Sequence, residues 1–71
     1  MENNHQIDIT TRDRLLRAWK NSTEMVRDFE KYSKEIEDDN QTADVFAQFA
    51  VDEGMHAAKF REILHQYQDD K

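Results

Sequence analysis

Glu53 and His56 are the side chains of this sequence best suited to hold a metal ion together. A carboxylate oxygen and an imidazole nitrogen favour iron, manganese or zinc over calcium or magnesium, which take all-oxygen shells. Residues three apart on an α-helix project from one face, so both groups can reach a single cation. They lie in the stretch VDEGMHAAKF, among Phe46, Phe49, Phe60 and Ile63, which recur at helical spacing. Polar groups on an apolar helical face need a partner, because burying them unpaired costs free energy. A metal ion is one such partner. A hydrogen bond between the two side chains, or to a partner chain, is the other.

The motif Glu-x-x-His occurs twice, the second time at Glu62 and His65. Helical phase separates the two copies. At about 100° per residue, Glu53 falls within roughly 20° of Phe46 and His56 within roughly 40° of Phe60, whereas Glu62 falls nearly opposite. Glu62 and His65 therefore read as solvated, and His5 lies in a polar lead-in; none of the three is assigned chemistry.

A site of this kind needs further carboxylates from a facing helix. Folding the chain about residues 40–41 sets positions 25–30 across from Glu53 and His56, where two glutamates compete. Glu30 lies about 40° from Val26 and 20° from Trp19, which points it inward, while Glu24 lies about 160° from Val26 and faces water in a regular helix. Periodicity favours Glu30, with a boundary ion pair to Arg or Lys as its alternative role. Glu37 also falls near the apolar stripe but is too close to the turn to reach the same ion.

The elements that must position these groups are two helices. Residues 1–9 carry no periodicity and read as a flexible lead-in. The first helix starts near Thr10, whose hydroxyl can cap it while Asp13 complements its positive end. Leu15, Trp19, Val26, Phe29 and Ile36 then form an amphipathic stripe, with Ser22 and Ser33 in intermediate positions and Leu16, Met25 and Tyr32 at its margins. The run EDDNQT breaks the pattern, and Asp39, Asn40 or Thr42 can cap a second helix running from about Ala43 to Tyr67. A short connection makes the helices antiparallel neighbours. The expected fold is all-α: a hairpin over residues 10–68, with a frayed tail at 69–71. A lone hairpin leaves apolar surface bare, so two are expected to dimerise into a four-helix bundle. Val51, Met55 and Ala58 on the back of the second helix are either scattered surface apolarity or a further contact between subunits.

Composition agrees with that reading. The 71 residues contain no cysteine and no proline, and a single glycine. Disulfides and thiolate ligands are excluded, and chains this short usually rely on a metal or on oligomerisation once disulfides are absent. The formal net charge of −6 argues against nucleic acid, whose binding rests on cationic contacts to phosphate. No apolar run approaches a membrane span, and MENNHQIDIT has no signal-peptide core, so a cytoplasmic protein is expected. The lone Gly54 sits inside the key stretch, as a tolerated substitution or as a point of close backbone approach.

The segment TADVFAQFAVDEGMHAAKFREIL resembles the second helix of a rubrerythrin-like or ferritin-like half-bundle. There a Phe precedes the ligand Glu by seven, His follows it by three and Ala commonly follows the His, as Phe46, Glu53, His56 and Ala57 do here. The acidic turn EDDNQTADVF also fits. The likeness covers about residues 15–67, and its specific part is the second helix; in architecture the chain is most similar to the encapsulated ferritins. It implies a di-iron carboxylate site at a homodimer interface, with iron (or manganese or zinc) as cofactor and ferroxidase or peroxide- or O2-linked iron oxidation as activity. In that arrangement Glu53 bridges or caps a metal and His56 supplies a terminal nitrogen, with a first-helix Glu completing the set. Here the first helix departs from the pattern. Thr23 stands where that Glu is expected and Glu30 where a Tyr is common, while Glu24 regains the position only with a turn one residue shorter. The competing reading is a metal-free hairpin acting as an assembly or interaction module.

Overall fold

Two caps define the helices. In the computed structural model, which describes residues 9–69, α1 spans Thr11–Glu35 and α2 spans Asn40–Asp69. The expectations for residues 1–8 and 70–71 lie outside the described residues. Thr10 takes the N-cap of α1, accepting the Asp13 N–H through Oγ1 at 3.0 Å, while the Asp13 carboxylate accepts the Thr10 N–H at 3.2 Å. This reciprocal capping box satisfies two amide donors that a helix start leaves unpaired. The α1 ladder ends at Ile36, whose backbone is extended and whose N–H donates to the Tyr32 carbonyl.

Of the three residues expected to cap α2, Asp39 does so. Its carboxylate accepts the Thr42 N–H at 3.0 Å and the Thr42 hydroxyl at 2.6 Å. That starts α2 at Asn40, earlier than the apolar periodicity alone suggested. Both capping carboxylates are held below the ordinary aspartate range, Asp13 chiefly by the Thr10 amide and Asp39 chiefly by the Thr42 hydroxyl. A depressed folded-state pKa contributes stability that is present above the unfolded value and lost as pH falls through the folded one. Helicity measured by circular dichroism is therefore expected to hold down to about pH 4 and to decline below it. An Asp39→Ala variant should melt several degrees lower at neutral pH and show a shallower acid limb.

The seam between the helices follows a heptad-like alternation. On α1 it runs Leu15, Trp19, Ser22, Val26, Phe29, Ser33 and Ile36; on α2 it runs Ala43, Phe46, Ala50, Glu53, Ala57, Phe60 and Leu64. All of these are buried or half-buried. Rings of Phe29 and Tyr32 pack on Phe46, with centroids 5.6 and 5.5 Å apart, the latter edge-on. Only Ser22, Ala50, Ala57 and Leu64 are buried among the described residues. The reason is thickness. The molecule measures 52 × 33 × 12 Å, and 12 Å is about one helix diameter, so no second layer covers either face. Leu16, Met25, Tyr32, Val45, Phe49, Val51 and Met55 consequently remain exposed. No described helix is long and apolar enough to cross a membrane.

Gly54 lies on α2 opposite Val26. A Cβ built there would meet only Val26 Cγ2, at 4.0 Å, which is ordinary van der Waals contact, and the glycine has no positive φ. Within the hairpin it is a tolerated substitution. Gly54→Ala is expected to stabilise by about 1 kcal/mol through helix propensity and a less flexible unfolded chain, read as a higher denaturant midpoint.

Candidate metal centre

Glu53 occupies a core position of the α2 seam, and this is what sets it apart. Its side chain is 18% exposed. Among residues 9–67, Asp52 and Glu53 are the only carboxylates that are half-buried rather than exposed. Asp52 is hydrogen-bonded by the Gln48 amide at 3.1 Å. Glu53 meets His56, with Oε1 3.4 Å from Nδ1, and no Lys or Arg among the described residues pairs with it. One imidazole at that distance leaves most of the carboxylate's acceptor capacity unmet.

The two members of the pair have different surroundings. Glu53 is half-buried against the seam, whereas His56 is 63% exposed. Phase places His56 on a flank of α2 shared with Val45, Phe49 and Tyr67, and Met25 and Tyr32 of α1 lie on the same side of the hairpin. This flank is the aromatic face. Phe49, expected on the core-facing stripe, is half exposed here instead. It sits about 80° from the seam centre, a position that only another layer would bury.

The opposite flank is different in kind. There Glu30, Ser33 and Lys34 of α1 face Ala47, Ala50 and Val51 of α2 across a shallow recess of about 300 Å³. Glu30 is therefore not turned toward Glu53 and His56. It is exposed, it lies on the far side of the seam from His56, and it is a turn nearer the hairpin end. The inward assignment rested on angular distance from the stripe, and Glu30 is indeed near the stripe, but it falls on the other flank. Glu24 is exposed on the outer side of α1, as its phase indicated. Thr23 directs its hydroxyl to the Lys20 carbonyl at 2.8 Å, a bond within its own helix. Glu62 is exposed and pairs with Lys59 at 3.3 Å, in keeping with a solvated role, and His65 is exposed too.

Of the four expected ligands, then, the hairpin brings together Glu53 and His56 and separates both from Glu30 and Glu24. No group of three or more His, Asp or Glu side chains capable of holding a metal ion forms among the described residues. No protein-family model, curated protein or solved structure matches the chain.

Proposed function

We propose that this chain is a metal-binding helical hairpin that acts as a homodimer, with the Glu53–His56 pairs of two copies meeting around one transition-metal ion. The observation that carries this reading is Glu53 itself: a carboxylate at a core seam position, without a cationic partner among the described residues, beside an imidazole on an uncovered aromatic face. Two carboxylates and two imidazoles make a four-ligand set of the kind zinc takes and that iron or manganese accepts with added water. The resemblance to ferritin-like half-bundles favours iron.

Within one hairpin the residues do not assemble a dinuclear carboxylate centre. Such a centre needs a first-helix carboxylate beside each Glu-x-x-His pair, and Glu30, Glu24 and Thr23 each fail that requirement for the geometric reasons above.

Elemental analysis of protein purified without chelator, followed by titration with zinc, manganese and anaerobic Fe(II), tests the proposal. One ion per two chains is expected, with binding abolished in His56→Ala and Glu53→Gln. Stoichiometric binding that survives both substitutions, or no binding at all, would reject it. A second reading, a metal-free association module, draws support from the uncovered aromatic face formed by Met25, Tyr32, Val45, Phe49 and Tyr67. It predicts self-association that is indifferent to chelator and to both substitutions.

A further inference from the structure

The hairpin is electrically bipolar along its length. At the end away from the turn, residues 11–20 carry Arg12, Arg14, Arg17 and Lys20 against Asp13 alone. At the turn, residues 35–44 carry Glu35, Glu37, Asp38, Asp39 and Asp44 with no basic residue. The same polarity holds on the margins of the aromatic face. Phase sets Arg14, Arg17 and Lys59 along it in the open half, and Asp28, Glu35 and Asp52 along it in the turn half. All but the half-buried Asp52 are exposed.

We infer that the aromatic face receives a second copy of this chain in antiparallel orientation, so that the basic end of each lies against the acidic turn of the other. This inference rests on the homodimer proposed above and specifies its geometry. Met25, Tyr32, Val45, Phe49 and Tyr67 supply apolar surface for association, and exposed charge selects orientation more than it adds affinity. A parallel arrangement would set five carboxylates against five at the turn. The antiparallel one sets them against arginines. An antiparallel pair in full overlap has its two-fold axis at the middle of the hairpin. For α2, Asn40–Asp69, that level is Gly54–Met55, next to His56 and close to Glu53. Charge polarity and helix length thus converge on the level where the two Glu53–His56 pairs would meet.

The absence of native cysteine makes the test direct. A nitroxide on Asp38→Cys marks the turn, and its distance to the same label on the partner is read by pulsed dipolar spectroscopy in the presence of EDTA. Antiparallel dimers give a turn-to-turn separation on the order of 40 Å, from about 30 residues at 1.5 Å each. A separation close to a single helix spacing, or a monomer at the concentration measured, overturns the inference. Glu35→Lys with Glu37→Lys supplies an independent reading. The double variant lowers the repulsion between two net-negative chains, so a net-charge effect would tighten the dimer. The antiparallel arrangement requires that it weaken severalfold instead. Because chelator is present throughout, failure of metal binding leaves this result standing, and failure of this geometry leaves the metal titration to be judged separately.

Discussion

Glu53→Leu is expected to raise the thermal midpoint of the metal-free protein and, in the same variant, to abolish stabilisation by added metal. Glu53 holds a seam position flanked along α2 by Ala50 and Ala57, both buried, where an aliphatic residue would complete the apolar run. Burying a leucine there is worth about 2 kcal/mol, which for a domain of this size is a rise on the order of 10 °C. Scanning calorimetry with EDTA and then with each metal reads both effects. A carboxylate retained for packing would give the opposite pattern: no gain in the apo protein and an unchanged response to metal. The two halves of the result must appear together, because the proposed site is one in which a functional group replaces a stabilising one.

Phe49→Asp is expected to weaken the proposed dimer without unfolding α2. Phe49 is 50% exposed in the single chain and lies on the aromatic face. In the proposed two-fold dimer the exposed half of its surface is lost twice, at about 1 kcal/mol each, which weakens the dissociation constant at least tenfold. Sedimentation equilibrium should show the change, while circular dichroism retains a helical spectrum. Val51→Asp is the control. Val51 is also exposed, but on the flank opposite the aromatic face, and its substitution should leave the dissociation constant within a few-fold. Equal effects of the two variants would place the interface elsewhere on the surface.

Much of this molecule is legible in its amino-acid order because it is decided locally. The start of α1 at Thr10, the break at EDDNQT and the alternation of apolar and small residues along each seam follow from capping chemistry and helical period. So does the separation of Glu53 and His56 from the rival pair at Glu62 and His65, since one helix with a period near 3.6 residues suffices for that comparison. Which of Asp39, Asn40 and Thr42 caps α2 was less accessible, for all three are competent cap formers; the hydrogen bonds to Thr42 single out Asp39.

Position relative to a second helix is a different matter. A seam has two flanks, and distance from an apolar stripe does not say on which flank a residue falls once two helices run antiparallel. Glu30 and His56 are both near their stripes, yet they emerge on opposite faces of a slab one helix thick. Phe49 likewise belongs to the apolar pattern of α2 but reaches past the seam into open space. The residue types of Glu53 and His56 therefore marked the candidate pair from the sequence alone, while tertiary structure decided that, among the described residues of one chain, no first-helix carboxylate stands beside them, because the handedness of each helix and the turn at Asp39 together set which side chains can meet.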